Sequence, residues 1–248
     1  MNLFRRPLVL VIAGVAAALA GLAATFPARL ALAWFAPPAV QAWGVEGSIW
    51  EGRAAELVYQ GRSLGALSWD LRVGRLFALQ PAWDLDLRRG RGFARATAGF
   101  SLLADRQRID DLEAALELGT LPRALVPEGV AGQARISLET LEIEEGWPTR
   151  IVGDAAVAEL ELPGVILALG PFEFLFPEQA GPPAGVIRSL GGPLAVDGQV
   201  ALPAAGQWRF SAELAPGEDP PPALVEGLAF VGEDLGGGRR RLEMSSEP

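Results

Sequence analysis

The chain has 248 residues, half of them apolar, with a formal net charge of −9, no cysteine, no histidine, and arginine as its sole basic residue type. Without cysteine and histidine there are no disulfides, no usual ligands for zinc, copper or haem and no histidine-assisted nucleophile. Carboxylate-only chemistry and calcium binding stay open on composition; the expectation is no cofactor and no small-molecule substrate. The acidic balance disfavours a nucleic-acid partner, because phosphate contacts need a basic face.

The run Leu8–Phe26 is uncharged and long enough as a helix to cross a bilayer, and Arg5 and Arg6 precede it. The positive-inside bias keeps those arginines in the cytoplasm and sends residues 27–248 across. The reading adopted is an uncleaved anchor. The alternatives are a signal peptide cleaved after Ala18-Leu19-Ala20 or Leu22-Ala23-Ala24, and a buried core helix. The chain then divides into a cytoplasmic stub with its transmembrane anchor (1–26), a juxtamembrane connector (27–44) and a β-rich domain (45–248).

In the connector, Leu30, Ala33, Trp34 and Ala36 predict a short amphipathic helix ended by Pro37 and Pro38. From Val45 the period changes to two. Val45–Ala54 reads as a strand with a glycine-marked bulge or turn. Leu67, Trp69 and Leu71 alternate with polar neighbours, as do Trp83, Leu85 and Leu87, so each segment predicts a half-buried strand. Between them Val73–Leu79 predicts a short helix closed by Pro81. Gly92–Leu103 is a weaker strand. Ile109–Leu118 fits a strand or a helix, and strand is preferred because its neighbours are strands.

Thr120–Gly129 is a connection. Val130–Ile143 alternates with a one-residue slip at Glu139-Thr140, which predicts a β-bulge. Strands follow over Arg150–Leu162, Val165–Phe176, Leu194–Leu202 and Trp208–Leu214, with Pro-rich loops at Pro177–Gly185 and Ala215–Pro222. A short helix over Ala223–Phe230 and a turn with a terminal strand over Gly236–Met244 complete the chain. Val-x-Gly openings at Val45, Val130 and Val196 suggest hairpins added side by side. The expected fold is mainly β: the transmembrane helix, then an elongated, curved antiparallel sheet with one apolar face, either two packed sheets or an open half-barrel, and a few short helices.

Several constellations have chemical potential. Asp84 and Asp86 share a strand face, as paired glycosidase carboxylates do, although a solvated face neutralised by Arg72 or Arg88 is the plainer reading. Asp110-Asp111 and Glu142-Glu144-Glu145 lack the Asp-x-Asp-x-Asp-Gly pattern of a calcium loop and read as acidic edges. Gly236-Gly237-Gly238 before Arg239-Arg240-Arg241 reads as a hairpin turn with a basic strand end; contact with lipid phosphate or an acidic partner is the alternative. Trp50, Trp69, Trp83 and Trp208 occupy positions expected to face inward. They are either core or the candidate contact residues of an apolar groove for a partner or lipid.

The order of these features resembles the type II secretion system protein N family. The likeness rests on the Arg-flanked anchor, Gly47-Ser48-Ile49-Trp50-Glu51-Gly52-Arg53-Ala54, Leu67-Ser68-Trp69-Asp70-Leu71, the Leu224–Gly232 helix and Gly238-Arg239-Arg240-Arg241-Leu242. The resemblance implies a single-pass inner-membrane protein of the Gram-negative envelope with its bulk in the periplasm. It would be an accessory part of the secretion apparatus, acting on other secretion-system envelope proteins and not as an enzyme. The Val-x-Gly openings and one-sided strands are also similar to AsmA-type proteins, which implies a β-groove for lipid as the alternative function.

Overall fold

The computed structural model describes residues 21, 25–121, 126, 128–161 and 168–246. The predicted anchor lies outside these residues apart from Gly21, Thr25 and Phe26. Among the described residues no helix is long and apolar enough to cross a membrane.

The described chain is dominated by one open antiparallel sheet. Helix α1 (Ala28–Phe35) leads into two short strands, β1 (Val40–Trp43) and β2 (Glu46–Gly47). Both lie against β3 (Glu51–Tyr59), so together they form one broken edge strand. The sheet continues through β4 (Arg62–Leu71), the single-turn helix α2 (Val73–Leu76), β5 (Ala82–Arg89), β6 (Gly92–Phe100) and β7 (Arg106–Glu117). The longest strands follow, β8 (Ala131–Glu144) and β9 (Trp147–Glu161), then β10 (Phe172–Phe176), β11 (Ala184–Ser189), β12 (Leu194–Ala204) and β13 (Gln207–Pro216). Helix α3 (Pro222–Leu228) precedes β14 (Glu233–Gly236) and β15 (Arg239–Ser245). From β3 to β13 each strand pairs with the next along the chain; β15 then inserts between β13 and β14.

Alternation produces this sheet. Residues directly opposite in antiparallel strands share a face, and the register brings apolar positions together across strand after strand. Leu67 opposes Leu87, Trp69 opposes Leu85, and Leu71 opposes Trp83. Leu112 opposes Leu138, Ala134 opposes Val157, Phe172 opposes Val157 from the other side, and Val196 opposes Leu214. One face is therefore apolar from β4 to β15. Its best-packed part surrounds Leu169, Phe172, Val196 and Ala212, with Leu224 of α3 laid against it. Over β4–β9 the large apolar residues of this face are mostly half-buried, and among the described residues no second sheet lies upon them.

The predicted bulge is present: Glu139 is skipped between the Leu138–Gly153 and Thr140–Val152 pairs. Gly153 has φ +135°, and a side chain there would collide with the Ser137 carbonyl, so glycine is required where the ladder shifts. Ile109–Leu118 is a strand to Glu117. The Val165–Phe176 strand is shorter than expected. It runs from Phe172, with Leu169 and Gly170 buried before it, and 162–167 fall outside the described residues. The expected Val45–Ala54 strand is broken into β2, a turn at Ser48–Trp50 and β3, because Gly47, at φ +90°, turns the chain. β1, β11 and β14 add strands that the alternation did not reveal.

Candidate functional site

The four tryptophans divide. At one end of the sheet, the turn between β2 and β3 is closed by Ser48, whose Oγ accepts from the Trp50 and Glu51 amides at 3.2 and 3.3 Å. Two indoles from the apolar face hold this turn. Trp69 lies across Gly52, where a Cβ would stand 2.5 Å from its ring, and donates to the Ser48 carbonyl at 3.0 Å. Trp83 donates to the Ile49 carbonyl at 2.8 Å and stacks on Phe100 with ring centroids 5.9 Å apart. The Ile49 amide in turn donates to the Phe26 carbonyl at 3.1 Å. The turn therefore ties the last residue of the apolar N-terminal run to the sheet.

Trp50 sits in that turn rather than on a strand; its carbonyl accepts from the Leu71 amide at 2.6 Å. Trp208 shares the face of Phe210 and Ala212 but is poorly covered there. It lies next to the β12–β13 hairpin end, eight strands from β5, and is 36% exposed. Trp147 was not singled out by sequence pattern, yet its indole nitrogen is buried without a hydrogen-bond partner.

The opposite face is an arginine–carboxylate ladder. Asp84 is paired with Arg72 at 2.8 Å and accepts from the Thr97 hydroxyl at 2.7 Å. Burial pushes Asp84 up, but those two donors outweigh it and hold the group below its ordinary value. Asp86 is bound by Arg88 and Arg95 at 2.8 and 3.0 Å and held at about 2, chiefly by Arg88. Neither carboxyl is raised, whereas a general acid needs one that is.

Asp110 is buried and joined to Arg108 at 2.7 Å, Arg75 at 3.2 Å and the Thr140 hydroxyl at 3.3 Å. Its neighbour Asp111 is exposed at φ +53°, at a second register shift. Glu142 pairs with Arg108 and Glu144 with Arg106. Over β2–β7 this polar face forms a shallow hollow of about 1000 Å³ whose lining includes Arg53, Asp70, Asp84, Asp86, Arg95 and Asp111. Among the described residues no cluster of three or more ligating side chains stands ready for a metal ion.

Gly236–Gly238 turn β14 into β15 with all three φ values positive. Arg240 and Arg241 reach Asp234 and Glu213 at 3.5 and 3.2 Å, so two of the three arginines are already paired within the sheet. β14 pairs only with Arg239–Arg241, and among the described strands none covers the outer side of Leu242–Ser245. The Ser246 amide donates inward to Trp208. By the two-residue period, the Met244 amide points the same way and that of Glu243 points outward. Among the described strands, the sheet thus ends with the outer side of Leu242–Ser245 unpaired.

The model of the family described as type II secretion system (T2SS), protein N matches residues 38–243. The chain belongs to this family. The match spans β1 through most of β15 and so includes the tryptophan-held turn and the polar ladder, and it stops within the final edge at residue 243. The type II secretion system protein N of Vibrio cholerae is 29% identical over 227 residues, covering 86% of this chain and 87% of the relative. That of Aeromonas hydrophila is 27% identical, covering 82% of each, and that of Pectobacterium carotovorum 24%, covering 94% and 95%. No solved structure matches the chain.

Proposed function

We propose that this member of the protein N family is an accessory component of the type II secretion apparatus. In this reading Leu8–Phe26 anchors it in the inner membrane and the sheet stands in the periplasm. It works by contact with other secretion-system proteins and not by turnover. The observation that carries the mode of contact is the outer side of Leu242–Ser245, which no described strand covers. A partner strand added there would gain backbone hydrogen bonds along an existing sheet. The paired, low-pKa carboxylates of the polar face support a binding rather than a catalytic role.

The test is Glu243→Pro in the full-length chain. Proline is tolerated where an edge N–H faces solvent, so the sheet remains folded while the outward donor is lost. Co-purification with other inner-membrane secretion components from mild detergent should fall several-fold. Unchanged recovery of partners would refute edge pairing, and repeated recovery of the wild-type chain alone would refute the contact reading.

A second reading has its own observation. The apolar face over β4–β9 is half-exposed and continuous, as a surface for acyl chains would be. The hollow of the sheet, however, opens on the polar side. Lipid retained by the purified chain in native mass spectrometry would favour this reading; its consistent absence would remove it.

A further inference from the structure

We propose that the end of the sheet bearing α2 and the β6–β7 loop rests on the surface of a lipid bilayer. The apolar side chains here are unusually bare. Phe77 is 88% exposed, Leu103 81%, Val73 61% and Leu102 57%. They come from two connections, β4–β5 and β6–β7, that leave the sheet at the same end, and the Leu102 amide donates to the Leu79 carbonyl at 3.1 Å. Large apolar side chains grouped at a loop end serve no core; they need an apolar medium.

The occupant is identified by where the N-terminal run arrives. The Phe26 carbonyl is bonded to the Ile49 amide, the Ile49 carbonyl to the Trp83 indole, and the Trp83 ring stacks on Phe100 at the start of the β6–β7 loop. The end of the Leu8–Phe26 run and the bare rim are thus joined through successive contacts. If Leu8–Phe26 crosses the membrane, Phe26 lies at its surface, and Phe77, Leu102 and Leu103 face the same plane. The inference rests on the anchor reading and adds a second attachment, one that fixes the tilt of the sheet. A tethered rim needs little affinity of its own, since the anchor supplies a high effective concentration. Charge contributes little: Arg72 and Arg75 are committed to Asp84 and Asp110, and Asp105 stands in the loop. Contact should therefore be insensitive to salt.

Because the chain has no cysteine, one substitution gives one labelling site. Leu103→Cys and Arg91→Cys, each in the full chain, are labelled with bimane and reconstituted in phosphatidylethanolamine–phosphatidylglycerol vesicles with or without doxyl-labelled lipid. Arg91 is exposed at the opposite hairpin end, roughly 30 Å away along the nine residues of β6. The label at 103 should be quenched several-fold more than that at 91, at low and high salt alike. Co-flotation with the vesicles but equal, weak quenching at both positions overturns the rim contact and leaves the anchor standing, as when another protein or a second copy covers the rim. Failure to co-float overturns both.

Discussion

Replacing Trp69 and Trp83 together by phenylalanine should release the β2–β3 turn while leaving the remainder of the sheet intact. Each substitution removes one indole N–H bond, at 3.0 and 2.8 Å, worth about 1 kcal/mol net. Each also removes part of a half-buried ring, worth roughly 0.5 kcal/mol at about 25 cal/mol per Å². Either single variant should therefore cost about 1.5 kcal/mol. The pair should cost about 2–3 kcal/mol, less than twice the single value, because both rings hold the same turn and the second loss acts on a segment already loosened. Urea unfolding followed by far-ultraviolet circular dichroism measures the sum, and amide exchange locates it. Exchange should accelerate at Ser48–Glu51 and stay unchanged in β12 and β13. Trp208→Phe is the control; with a partly exposed ring and no side-chain hydrogen bond to lose, it should shift stability by less than about 0.5 kcal/mol. A double variant as stable as Trp208→Phe, with unaltered exchange at Ser48–Glu51, would refute the clamp.

Trp147→Phe removes a buried donor that has no acceptor; stability in urea should hold or rise by up to about 1 kcal/mol, and a loss beyond that would mean the indole is satisfied. Asp110→Ala leaves Arg75 and Arg108 without their shared carboxylate. The cost should be about 2–3 kcal/mol in the same assay, below the usual range for a buried pair because both arginines can turn to water, with Asn recovering part of it. The Asp86 carboxyl sits below its unfolded value, so its stabilising contribution is complete above about pH 4 and fades as pH falls toward about 2. Screening at the exposed arginines limits that contribution to about 1 kcal/mol. Asp86→Asn should flatten the acid limb of a stability–pH profile in that window, and an unchanged limb would contradict the assignment.

Strands with clean alternation were legible because one face meets apolar neighbours and the other meets water. Leu67–Leu71, Trp83–Leu87 and Leu194–Leu202 all belong to strands. The bulge was legible because Glu139 breaks the phase of an otherwise regular strand. β11 and β14 were not. Ala184–Ser189 is short and follows two prolines, and Glu233–Gly236 is a polar edge that buries little, so neither has a face for the pattern to report. Among the candidate contact residues, Trp69 and Trp83 were found by their inward phase. Trp50 and Trp208 share that phase in sequence, but Gly47 diverts the first into a turn and a hairpin end strips cover from the second. The bare rim was hidden for the same reason: Phe77 and Leu103 sit in segments read as helix and strand, and only the folded ends reveal how exposed they are.

The neighbour-to-neighbour order of the strands bears on how the molecule is made. From β3 to β13 each strand pairs with the one before it, so a growing chain can add these strands in the order they emerge instead of waiting for its C-terminus. The same order makes shortened products hazardous. A chain ending after β9 would present its fifteen-residue strand as a raw template for other chains, whereas the described sheet finishes on the four residues of β14 and a half-covered β15.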